Sequence, residues 1–74
     1  MKLSDANEND RLQITEIVMS PEHRKLSALG IITGCKLVLL LKNAGGVLIE
    51  AYGCKYALDI NIAECILVKR ILPQ

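Results

Sequence analysis

The 74-residue chain has no tryptophan and no phenylalanine, and its only aromatic side chains are Tyr52 and Tyr56. A core must therefore be assembled from Leu, Ile and Val, and there are too few flat rings to stack the bases of a single-stranded nucleic acid. Long hydrophobic runs are missing as well. The longest, Leu37 to Leu41, falls far short of the ~20 residues that a membrane-spanning helix needs, so no direct membrane insertion is expected. No charge of one sign dominates: nine basic and eight acidic residues are scattered to a net +1. That removes the electrostatic footprint of a nucleic-acid binder, and no nucleic-acid partner is expected.

Histidine is reduced to His23, so a catalytic pair built on it would have to recruit Cys or Asp from distant strands. At the start of a helix the dipole disfavours its protonated form, and it reads as a partly exposed surface residue. The cysteines, Cys35, Cys54 and Cys65, are odd in number and lie 19 and 11 residues apart, which fits neither a disulfide framework nor a zinc ribbon. With His23 they are the right ligand types for a metal site, but no two stand at zinc-like spacing. No basic cluster is at hand to make one a reactive thiol. They read as small apolar residues of a reducing compartment.

What is present is an excess of aliphatic residues in a short chain: 51% hydrophobic at 8.1 kDa. Folding removes about 60% of the extended chain's surface at this size, which leaves a single domain, residues 1–74, only marginally stable alone. There is no room for a cofactor half plus a substrate half, a deep enzyme cleft or a repeat array. No cofactor and no enzymatic activity are expected. The opening Met1-Lys2-Leu3-Ser4-Asp5 is polar and acidic, unlike a signal or transit peptide, so the expected location is cytoplasmic.

Residues Met1 to Asn9 read as an irregular arm anchored by Leu3. Arg11 to Glu16 alternates polar and apolar with Leu12 and Ile14 on one face, predicting a first strand, with a bulge or bend at Ile17-Val18. Ser20-Pro21-Glu22 carries the signals of a helix start, and the helix is expected over Pro21 to Leu29, with Gly30 taking the left-handed cap. Cys35 to Lys42 is a strand with apolar residues on both faces. Asn43-Ala44-Gly45-Gly46 turns the chain into a strand at Val47 to Tyr52, and Gly53-Cys54, read as a type II′ turn, returns it over Lys55 to Ile60. Asn61-Ile62-Ala63-Glu64 has capping-box spacing and predicts one helical turn. Cys65 to Ile71 is the last strand, closed off by Pro73. The expected fold is mainly β: a small SH3-like five-stranded antiparallel barrel with one short helix after the first strand and a helical turn before the last.

The segment Leu26-Ser27-Ala28-Leu29-Gly30-Ile31-Ile32-Thr33-Gly34 resembles the FeoA family, small accessory proteins of bacterial ferrous-iron uptake, in its short helix, Leu-Gly, apolar residue and second Gly before a strand. Leu3-Ser4, Gly45-Gly46, Gly53 with Leu58, and Ala63 with Ile66 support it along nearly the whole chain. The same SH3-like domain ends some iron- and manganese-dependent repressors. Three departures stand out: Asn9-Asp10 replaces a Gly-containing turn, Thr33 stands where Pro is usual, and Asp59 where Arg is common.

The resemblance implies a cytosolic accessory role in Fe2+ uptake, exerted by docking on FeoB, the membrane ferrous-iron permease with a GTP-binding cytosolic part. Two alternatives remain open: a transition-metal-binding domain acting as sensor or carrier of an ion such as Fe2+, and a regulatory domain related to the repressor tails. Leu26, Leu29, Ile31 and Ile32 are the candidate partner-binding residues. Leu26, Leu29 and Ile31 are each accounted for by packing the helix onto the sheet, yet four aliphatics in seven positions exceed what one short helical stripe buries. Ile32 or part of Leu26 is the expected surplus, and a partner or a second copy of the chain, giving a homo-oligomer, is the expected cover.

Overall fold

A computed structural model describes residues 1–18 and 23–71. Five strands, β1 (Arg11–Ile17), β2 (Lys36–Asn43), β3 (Gly46–Ala51), β4 (Cys54–Asp59) and β5 (Ile66–Arg70), form one antiparallel sheet in the order β4-β3-β2-β1-β5. Helix α1 (His23–Ala28) lies between β1 and β2, and the one-turn helix α2 (Ile60–Glu64) joins β4 to β5. The mainly β, SH3-like plan matches expectation, including the β2-β3-β4 meander. The barrel is not closed, however: β4 and β5 are the two ends of the sheet and share no ladder. Instead α2 packs on β3, β4 and β5 and covers one opening of the core with Ala63, which is fully buried.

Aliphatic residues, joined by Cys35, fill the interior. Leu12, Ile14, Leu39, Ile49 and Ile66 are each 0–1% exposed, and no polar side chain is buried among the described residues. Alternation puts these residues on one face of each strand, but two bulges interrupt it. In β1 the register with β5 shifts between Ile14 and Glu16, earlier than the Ile17-Val18 position expected; the Thr15 hydroxyl donates to the Leu67 carbonyl at 3.2 Å there. In β2 the register with β3 shifts between Leu39 and Leu41. A bulge adds one residue to one strand and so reverses which face the following side chains take. Leu37 and Leu39 are buried, whereas Leu41 is 58% exposed.

The amino-terminal arm is more ordered than its polarity suggests. Leu3–Asp5 forms a 3-10 turn, Leu3 and Ala6 are fully buried, Lys2 bridges to Leu67 and Val68 N–H donates to the Met1 carbonyl at 2.7 Å. The arm therefore lies along the outer edge of β5. Asn9 adopts φ 72°, so an Asn fills the left-handed position where the family's Gly-containing turn is usual; Asn tolerates that region better than most residues.

Two local expectations are corrected. The β3–β4 connection is Tyr52-Gly53, not Gly53-Cys54: Ala51 pairs with Cys54, and both loop residues have positive φ, 56° and 75°. That is the signature of a type I′ rather than a type II′ turn. Helix α2 is capped by Asp59, whose carboxylate accepts from the Asn61 N–H at 2.8 Å, so Asn61 is a helical residue and not the cap. Asp59 fits because its extended backbone, φ −60° and ψ 150°, aims its side chain at the free donors of the first turn. The cap signals at Ser20, Pro21 and Glu22, and the strand end at Pro73, lie outside the described residues.

Candidate partner-binding surface

The carboxyl end of α1 is a two-bond cap. Gly30 N–H donates to the Ser27 carbonyl at 3.0 Å and Ile31 N–H to the Leu26 carbonyl at 2.9 Å, with Gly30 at φ 81°, which is the Schellman arrangement. Its companion apolar contact is the one between the residues so bonded, and Leu26 and Ile31 are accordingly 3% and 0% exposed. The reversal at Gly30 sends their neighbours outward: Leu29 is 47% and Ile32 46% exposed. The four sequence candidates thus split into two pairs. Leu26 and Ile31 pack the helix end into the core, where their side chains meet no solvent. Leu29, which the helical stripe placed against the sheet, joins Ile32 on the surface.

A residue that sequence reasoning passed over fixes this ridge. The Tyr52 hydroxyl, at the tip of the β3–β4 turn, donates to the Gly30 carbonyl at 2.8 Å. Its ring lies so close that a Cβ on Gly30 would come within 3.2 Å of it. Glycine suits position 30 chiefly through its backbone conformation, and a side chain there would also press on the Tyr52 ring. The Cys35 thiol beside the phenol, together with desolvation, holds Tyr52 above its ordinary pKa of 10.0, so the donating form persists. Tyr52 itself is 65% exposed. The available signal was its rarity: one of two aromatic residues, next to the glycine of a turn.

Beside Tyr52 an open groove of about 260 Å³ runs between Arg11, Lys36, Val38 and Glu50. Lys25, one helical turn before Leu29, is exposed. Leu29 and Ile32 are apolar and exposed, and the groove beside Tyr52 carries both signs of charge, Arg11 and Lys36 with Glu50. Cys35 is buried, Cys54 exposed and Cys65 half-buried, all as free thiols. Among the described residues no three His, Cys, Asp or Glu side chains gather to hold a metal ion. The side chain of His23 lies outside the described residues.

The FeoA domain model matches residues 1–70. The chain belongs to the FeoA family. Among solved structures, it is similar to the FeoA protein from Chlorobium tepidum, at 29% identity and a TM-score of 0.87 over 97% of this chain and 71% of that one. The FeoA-like protein from Clostridium acetobutylicum gives 22% identity and a TM-score of 0.85 over 100% and 90% of the two chains. A manganese-dependent transcriptional repressor in complex with manganese reaches a TM-score of 0.88 at 21% identity, covering 96% of this chain but 36% of its own, a likeness of fold. No protein of curated function matches the sequence. FeoA membership supports a role in ferrous-iron transport and an association with the Feo system. Among the described residues no helix is long and apolar enough to cross a membrane.

Proposed function

We propose that this FeoA-family chain is a cytosolic, non-enzymatic accessory protein of Fe2+ uptake that docks on the cytosolic GTP-binding part of the ferrous-iron permease FeoB. The reading rests above all on Leu29 and Ile32: two exposed aliphatic side chains on either side of a glycine whose carbonyl accepts a hydrogen bond from Tyr52. An apolar surface ordered before binding loses little conformational entropy on association, which is what a small docking module requires. Leu29, Ile32 and Tyr52 supply the contact; Leu26 and Ile31 fix its shape from beneath. Binding one permease conformation better than another would shift its population without any bond being made or broken in this chain.

The test is calorimetric titration of the full chain into the cytosolic part of the permease. Replacing Leu29 or Ile32 by Glu is expected to weaken binding by about tenfold or more, with melting temperature retained because both side chains are at the surface. Absence of binding by the unaltered chain would refute the reading. Binding that survives both substitutions would move the contact elsewhere.

A further inference from the structure

The two edges of the sheet are treated differently. The outer edge of β5 is covered by the arm, through the Lys2–Leu67 bridge and the Val68 bond to Met1. Among the described residues the outer edge of β4 has no such cover. β4 pairs in unbroken register with β3 from Gly46–Asp59 to Ala51–Cys54, and it has neither a bulge nor a proline. The Ile60 N–H bond to the Gly45 carbonyl, 3.0 Å, sets the parity of this ladder. Cys54, Tyr56 and Leu58 bond to β3, while Lys55 and Ala57 aim both N–H and C=O outward, and Asp59 its N–H. Neither Lys55 nor Ala57 has a backbone partner on that side among the described residues. Open edges of this kind pair with other strands unless something prevents it.

We propose that β4 is the contact strand of a two-fold homodimer, pairing antiparallel with β4 of a second copy and centred on Ala57. The sequence Lys55-Tyr56-Ala57-Leu58-Asp59 is complementary to itself in that register. Ala57 meets Ala57 of the second copy, each N–H donating to the other's carbonyl, and both residues are small enough for close approach. The Asp59 N–H donates to the Lys55 carbonyl of the other copy, in both directions. The side chains of Lys55 and Asp59 then stand opposite each other across the new ladder, and a pair of opposite charges so placed is favourable. Glu50, already opposite Lys55, extends the alternation of sign. Asp59 caps α2 through one oxygen only, which leaves the other for the lysine.

The outer face supplies a second, independent match. Leu41, Leu48 and Ala57 stand in one cross-strand row and line an open groove of about 370 Å³. Pairing about Ala57 joins that row end to end with its symmetry mate, making one apolar stripe across both sheets. A closed isologous contact of this type needs only one patch per chain. Five residues of edge are well short of a standard interface of ~1,600 Å², so the dimer is expected to depend on concentration. None of Leu29, Ile32 or Tyr52 takes part.

Sedimentation equilibrium of the full chain, from about 10 μM to about 1 mM, reads the association directly. The unaltered chain should move from monomer towards dimer across that range, and less so at high salt. A57K, which sets two like charges on the two-fold axis, and K55E, which faces Asp59 with an acid, should each weaken association at least tenfold. D59N keeps an oxygen for the α2 cap and should weaken it by less. All three side chains are exposed, so circular dichroism should show unchanged folding; if A57K alone fails to fold, K55E carries the test. A chain that stays monomeric at the highest concentration, or variants that associate as the unaltered chain does, would overturn the proposal.

Discussion

Leu39 and Leu41 stand two apart in β2, and in a regular strand they would share a face and an energetic fate. The bulge between them separates the two. Leu39 is 0% exposed and Leu41 58%. Truncating a fully buried leucine to alanine removes its transfer free energy and leaves a cavity, and about 3 kcal/mol is the central expectation. Truncating a leucine already more than half in water costs at most ~0.5 kcal/mol. For a domain of this length each kcal/mol moves the melting temperature by roughly 6 °C. Leu39→Ala should therefore melt about 18 °C lower, and Leu41→Ala within about 3 °C of the unaltered chain. Differential scanning calorimetry in the low micromolar range decides the matter without interference from self-association. Equal losses at the two positions would show that β2 runs without a bulge and that Leu41 belongs to the core, which would also dissolve the outer apolar row.

Three further perturbations probe other parts of the molecule. A Cβ on Gly46 would collide with the backbone carbonyl of Leu58, whereas one on Gly45 meets nothing nearer than the Asn43 side chain at 3.4 Å; Gly46→Ala should cost about 2–3 kcal/mol in denaturant unfolding and Gly45→Ala under ~0.5. Cys35 N–H bonds to the Ile32 carbonyl at 2.9 Å across a turn with Gly34 at φ 94°, which leaves Thr33 at the turn position that favours proline. Thr33→Pro should raise the melting temperature by about 3–6 °C, and a fall would disprove the turn assignment. Asp10 accepts from the Asn7 N–H at 3.0 Å and from Arg70 at 3.1 Å, in that order of effect, and its pKa lies below the ordinary 3.8. A depressed carboxylate adds stability above its unfolded-state pKa and loses it as pH falls through the folded value. Unfolding curves of Asp10→Asn should thus lack part of the decline below about pH 4, and an unchanged acid limb would contradict the pairing.

The meander β2-β3-β4 was legible because its information is local: alternating aliphatics, a glycine-rich loop and a short turn. The cap at Gly30 was legible for the same reason, since a short helix followed by Leu-Gly and an apolar residue specifies it. Errors came where two positions close in sequence can play the same part. Asp59 and Asn61 both cap helices, and only the backbone angles choose between them; Gly53 can open or close a two-residue turn, and the pairing of Ala51 with Cys54 decides. The bulge at Leu40 leaves no mark in a run of leucines. Nor could composition divide Leu26 and Ile31 from Leu29 and Ile32, because the division depends on where Gly30 turns the chain relative to the sheet. Tyr52 was missed because its partner is the backbone of a loop distant in sequence.

The arm against β5 imposes an order of events on folding. β2, β3 and β4 pair with near neighbours and need only short loops to close, whereas β1 finds β5, and Lys2 finds Leu67, across almost the whole length of the chain. Contacts of high sequence separation form slowly because their loop entropy is lost before they stabilise anything. Leu3 and Ala6 are therefore expected to enter the core late, once the final strand is in place. The arm is thus expected to be among the last parts to settle, after the central meander has paired.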